Sequence, residues 1–177
     1  MHLTHRVWRG HVTLIGMSLY ALYILWLVSG FLDFACHRRT DLPHTSGLRE
    51  SSLHGVQLLL IGTSVLLWLI FEATWALAAA GAALASVHAV FGYLDTVSAD
   101  GRRRITPFEQ HVHSVLDAMP WVFLAIVFWN ADPEWNWRVA PREGWTWIAV
   151  LAPALILVIF PWLRELAAAL RASPRTL

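Results

Sequence analysis

Read for apolar and polar positions, the chain divides into five long apolar runs separated by short polar stretches. The first, residues 12–32, is 21 residues without a charge, enough at about 1.5 Å per residue to cross a bilayer core of about 30 Å. Its helix is expected to continue past the apolar part through Asp33 and His37, giving a span over about 12–36. A polar, proline-containing connection (RRTDLPHTS) follows, and the pattern predicts a second span over about 48–70. FEAT reads as a tight turn into a third span over about 75–95, rich in Ala and Gly, which lets neighbouring helices approach closely. Thr106-Pro107-Phe108-Glu109 reads as a helix start: Thr as N-cap, Pro at the first helical position, Glu three residues after the cap. The fourth span is expected over about 107–129 with Pro120 as a kink, and the fifth over about 145–163. Between them, residues 130–144 read as an interfacial loop with Trp135 and Trp137; residues 164–177 read as a short basic, partly helical tail without a candidate ligand. The fold class expected is an all-α polytopic membrane helical bundle, one integral membrane domain over residues 1–177.

Composition supports that class: 57% of residues are hydrophobic and only 14% charged, unlike an ordinary soluble domain. All 13 basic residues are arginine, and the net charge of +1 gives no reason to expect nucleic acid as a partner. The single cysteine, Cys36, excludes an internal disulfide and a cysteine-rich zinc site, and is expected as a small buried apolar residue. No small-residue cleavage site follows the first run, which is therefore expected as a retained span. Arginines fall nine on one side and four on the other, placing the N-terminus outside and the C-terminus in the cytoplasm.

The candidate chemistry is a matter of depth. Glu109, His113 and Asp117 are spaced i, i+4, i+8 and stack along one helix face. The carboxylate-then-histidine pairing at i, i+4 recurs at Asp33/His37 and Glu50/His54, while His88 and Asp95 share a face seven residues apart. By the expected topology all four sets lie at the same, cytoplasmic, end of spans one to four. Ionisable side chains in a membrane need protein, water or an ion to face. The reading is a metal centre in a four-helix core, with Asp33, His37, Glu50, His54, His88, Asp95, Glu109, His113 and Asp117 as candidate ligands. His44 and His111 are candidate partners that orient ligating imidazoles. Two divalent ions would offset four of the carboxylates, and oxygen and imidazole donors without thiolate suit iron first, then manganese or zinc. Blander roles are also open: Glu109 as the capping acid alone, and Asp33 or Glu50 paired with Arg38 or Arg49 at the interface. His2, His5 and His11 fall on the other side and read as interfacial.

The segments HRRTDLPHTSGLRESSLH and TPFEQHVHS resemble those of small bacterial polytopic membrane proteins. The resemblance covers most of residues 30–120, implies a bacterial inner-membrane location, and adds no activity and no functional residue. The site chemistry resembles that of soluble di-metal four-helix bundles, which use carboxylates and histidines on inward-facing helices. It departs from them in spacing, i, i+4 rather than i, i+3, and lacks the adjacent histidine pairs of membrane desaturases and hydroxylases.

The function expected is a membrane-embedded metalloenzyme, a di-iron or di-manganese oxidoreductase acting on a lipid or other apolar substrate with an external electron donor. Arg38, Arg39 and Arg102, Arg103 and Arg104 border the site and are expected to hold an anionic headgroup. The alternatives are a zinc-dependent hydrolase, a b-type cytochrome with haem on facing histidines, and a non-enzymatic metal or proton carrier or complex subunit.

Overall fold

The computed structural model describes the backbone of residues 3–173 and the side chains of residues 16–173. His2, His5 and His11, read as interfacial, lie outside the side chains described. The fold is an all-α membrane bundle with no named strand among the described residues. Its helices are α1 (Leu3–Arg39), α2 (Gly47–Ile70), α3 (Trp75–Ala99), α4 (Pro107–Trp129), α5 (Gly144–Ala154) and α6 (Phe160–Ala172). Five helical rods are long and apolar enough to cross a bilayer: Gly16–Arg39, Gly47–Ile70, Trp75–Ala99, Pro107–Trp129 and Gly144–Ala172. The chain is an integral membrane protein. Most bounds match the apolar runs; the exception is the fifth, where the expected tail instead continues the helix to Ala172.

That fifth rod carries two prolines. Pro153 has no N–H for the carbonyl of Ala149, and the Tyr20 hydroxyl donates to that carbonyl instead at 3.2 Å. The Tyr23 hydroxyl donates to Val150 O at 2.7 Å. A π-helical turn (Leu155–Ile159) follows, ahead of Pro161, and joins α5 to α6. Gly30 lets this turn close on α1, since a Cβ there would lie 3.3 Å from Val158. Leu27, Phe34 and Val158 form the buried apolar cluster at this contact.

Packing runs α1 on α4, α4 on α3, α3 on α2, α2 on α6, and the π turn and α6 back on α1. The rods therefore close a ring of five rather than a four-helix core with a peripheral fifth span. At one end of the ring lie the α1–α2 and α3–α4 connections and the end of α6; we call this the site end. At the far end FEAT is not a tight turn. It runs extended and bridges the 130–143 loop at Phe71/Val139 and Thr74/Asp132. Thr74 caps α3 by accepting from Leu77 N and donates to Asn136 O. Trp129, Trp135, Trp137 and Trp145 are exposed around that end, as in an aromatic interfacial belt.

The α2–α6 contact closes the ring and depends on one small residue. A Cβ on Gly55 would sit 2.7 Å from the Trp162 ring, whose Nε1 donates to Ser51 O at 2.9 Å and so cannot swing freely. Gly55→Ala is expected to cost about 1–3 kcal/mol as an overpacked contact. Gly62→Ala, with nothing within 4 Å of the added carbon, is expected to be neutral or slightly stabilising. Thermal unfolding of the two variants in detergent checks this; equal melting temperatures would count against the contact.

Candidate metal centre

Each i, i+4 pair presents both side chains on one face because successive turns of a helix stack. Since α1 packs on α4, the pair Asp33/His37 meets the pair Glu109/His113. One ligand atom from each of these four residues lies within 4.8 Å of the others. A second group, His37, Glu50 and His54, meets the same criterion and shares His37 with the first. His113 Nε2 lies 2.8 Å from Asp33 Oδ1. Asp33, His37, Glu50, His54, Asp95 and Glu109 are all buried.

The orientation of the imidazoles comes from a residue that the chain pattern did not single out. Glu165, on α6, accepts from His37 Nδ1 at 2.8 Å and from His54 Nδ1 at 2.9 Å. An ionised carboxylate only accepts, so both Nδ1 atoms carry the proton. The two rings lie parallel, 4.7 Å apart with 2° between their planes. Phe34 meets both edge-on and fixes the stack from the side. Both Nε2 atoms are thereby left on the opposite edge. His37 Nε2 is buried with no hydrogen-bond partner among the described residues. It faces Asp33 Oδ2 at 3.4 Å, Glu109 Oε1 at 3.7 Å and Glu50 Oε1 at 3.8 Å. His54 Nε2 faces Asp95 Oδ2 at 3.2 Å, and Asp95 Oδ1 is again buried without a partner.

Those separations are informative. Those around His37 Nε2 are longer than a good N–H···O bond. A metal bonded to nitrogen and oxygen at about 2.1 Å spaces tetrahedral neighbours about 3.4 Å apart. A neutral imidazole lone pair aimed at three carboxylates is repulsive unless a proton or a cation stands between them. A carboxylate holding the far nitrogen of a ligating imidazole is the usual support of a protein metal site.

Arg103 is the second residue whose role differs from expectation. Expected to reach an anionic headgroup, it is instead buried and turned inward. Its guanidinium donates to Glu50 through Nε and Nη2 (2.6 Å to Oε1) and to Glu109 Oε1 through Nη1 at 2.5 Å. Burial opposes the charge, but the hydrogen bonds and attraction of Glu50 and Glu109 hold the guanidinium pKa above its ordinary value. Glu109 also completes a capping box: it accepts from Thr106 N while Thr106 Oγ1 accepts from Glu109 N. The capping role and the site role thus belong to different oxygens of one side chain. Arg38, Arg39, Arg102 and Arg104 are exposed at the site end.

Other candidates lie further out. His88 is buried on α3 and lines a cavity with His54, Asp95, His113 and Asp117, but belongs to neither ligand group. Asp117 is exposed at the edge of the same cavity, beside Gly92, where a Cβ would come within 3.2 Å of its Oδ1. His44 pairs with Asp41 at 2.7 Å on the surface, away from the imidazole stack, and His111 is exposed. Cys36 is buried and free. Compared with known proteins, the chain matches no family model, no curated protein and no solved structure.

Removing the arginine side chain should expose how much the site leans on it. Arg103→Gln leaves two buried carboxylates without their cation and is expected to destabilise the metal-free protein by about 3–5 kcal/mol. Arg102→Gln and Arg104→Gln, at exposed positions, are expected to change stability by about 0.5 kcal/mol or less. Denaturation of the three variants, stripped with chelator, checks that only the middle arginine matters.

Proposed function

We propose that this protein is a membrane-embedded metalloenzyme, an oxidoreductase that uses two iron or manganese ions on a lipid or other apolar substrate. The observation that carries the reading is the pair of stacked imidazoles: one glutamate takes both Nδ1 protons and leaves both Nε2 atoms toward carboxylates. Charge supports it as well. Asp33, Glu50, Asp95, Glu109 and Glu165 are five buried carboxylates against the single guanidinium of Arg103, which leaves room for imidazole protons or metal cations to supply the rest of the positive charge. His37, His113, Asp33 and Glu109 would hold one ion. His54 and Asp95, with Glu50, would serve the other. No thiolate stands in either ligand group, so hard and borderline ions are favoured. Such a centre supplies redox chemistry with dioxygen, and the electrons come from an external donor.

The residues around the centre have separate tasks in this reading. Glu165 positions the imidazoles and raises their basicity. Arg103 offsets part of the negative charge and closes the aqueous side of the site. The cavity below, lined by His88 and Asp117, leaves a lipid-side approach for an apolar substrate. The exposed arginines 38, 39, 102 and 104 share the site end, which supports placing it at the cytoplasmic face of a bacterial inner membrane, with the N-terminus outside. They are also suited to the headgroups of the surrounding lipid.

A zinc-dependent hydrolase is the second reading, and Arg103 is the observation in its favour. By neutralising part of Glu50 and Glu109 it weakens the case for a second ion and leaves the four-residue group as a single-metal site. A bis-histidine haem fits poorly, because His37 and His54 lie side by side and do not face each other across an iron. A carrier fits poorly too, because the polar groups gather at one end of the ring.

Metal analysis of detergent-purified protein tests the proposal. The wild type is expected to hold close to two iron or manganese ions per chain, and His37→Ala to lose at least the ion held with Asp33, Glu109 and His113. Glu165→Gln should keep the stoichiometry but bind about 10–100-fold more weakly. Full occupancy in His37→Ala would refute the centre; one zinc ion per chain would select the hydrolase.

A further inference from the structure

Two cavities occupy the axis of the ring. One, of about 270 Å³, lies in the site half and has a polar end made by Asp33, His54, His88, Asp95, His113 and Asp117. The other, of about 610 Å³, lies in the far half and is walled by apolar and aromatic side chains such as Trp68, Phe123 and Trp145. They share Tyr23, Trp26, Ile61 and Val65 as walls. In each rod the lining residues pass in order from one cavity to the next: Asp95 to Leu77 along α3, His113 to Val127 along α4, Val158 to Trp145 along the fifth. The Tyr23 hydroxyl on the shared wall and the Tyr20 hydroxyl in the far cavity are both turned onto backbone carbonyls. The π turn, a widened helical geometry common at functional sites, borders the polar half.

We propose that the two cavities form one axial slot for the single hydrocarbon chain of an amphiphile with an uncharged, hydroxyl-type head. Length fixes the chain: from His54 to Trp68 the slot follows α2 for about 21 Å at about 1.5 Å per residue, most of a bilayer core. Head chemistry follows from the polar end. No arginine lines either cavity among the described residues, and three aspartates do, so a phosphate or carboxylate head finds no guanidinium to pair with and three carboxylates to repel it. A hydroxyl, in contrast, can donate to Asp95 Oδ1, which is buried and otherwise unpartnered. The head lies beside His54 and His113, within reach of the ligand groups. As the substrate class of the metal centre this rests on the metalloenzyme reading; as a binding site it stands without the metal.

The test is photolabelling in nanodiscs with hexadecanol carrying a diazirine near the end of its chain, beside the matching hexadecanoic acid. The alcohol is expected to label the far-half walls (Trp68, Phe123, Val150), at least tenfold more than the acid does. Gly62 lines the first cavity and has nothing within 4 Å of an added Cβ, so Gly62→Trp should plug the slot and reduce labelling at least tenfold. Val65→Trp, on the shared wall, should do the same and guards against a folding defect in one variant. Labelling on outward positions such as Leu59 and Tyr93, unchanged by both plugs, would overturn the slot. Equal labelling by acid and alcohol would overturn the head assignment. Metal content read on the same samples separates the two ideas: slot labelling without bound metal sinks the metalloenzyme reading and leaves the slot standing.

Discussion

Five carboxylates buried at one depth of a lipid-embedded ring must have their charge answered from inside the protein. These side chains are buried and lipid offers them no partner, so neighbouring polar groups are arranged around that demand. Arg103 enters from the α3–α4 connection to bridge Glu50 and Glu109, tying α2 to α4. Glu165 takes two imidazole protons and ties α6 to α1 and α2. Asp33 and His113 link α1 to α4, and His54 and Asp95 link α2 to α3. In a membrane, where apolar surfaces gain little by packing on each other, such polar ties hold the ring in register. One guanidinium does not balance five carboxylates; a proton or a metal ion at the imidazole nitrogens that face them would supply further positive charge.

The same demand explains why the chemistry is confined to one end. The far half of the ring has its polar backbone groups satisfied locally: tyrosine hydroxyls on the carbonyls near Pro153, and a hydrogen-bonded seam between FEAT and the 130–143 loop. What remains along the axis is apolar space that shares the walls Tyr23, Trp26, Ile61 and Val65 with the polar-ended cavity. In the proposed reading, a site built this way would present ions to the head of a molecule whose body stays in lipid-like surroundings.

Much of this was legible in the chain itself. Helix periodicity placed Asp33 with His37 and Glu109 with His113, and topology placed both pairs at one depth; the two meet as ligand groups because α1 packs on α4. Glu165 was hidden because it follows Arg164 in a stretch that reads as a short basic tail. A signal existed: Pro161, Glu165 and Ala169 are spaced i, i+4, i+8, so the acid sits on the buried face with small residues rather than on the polar one. Arg103 was hidden for a different reason. Three consecutive arginines read as a solvated loop, and which one turns inward is decided by backbone geometry, here the positive φ of Gly101 and the Thr106 cap. Asp117 was placed on the right helix face, yet it sits a turn beyond the ligands, at the cavity edge, because the face continues past the centre.

X-ray absorption at the metal edge of purified protein tests the central claim most directly. The account predicts a shell of nitrogen and oxygen at about 2.0–2.2 Å with imidazole scattering and no sulfur. It also predicts a metal–metal vector at about 3.5–4 Å. A protein that purifies folded and without stoichiometric metal, or a shell containing sulfur, would contradict it.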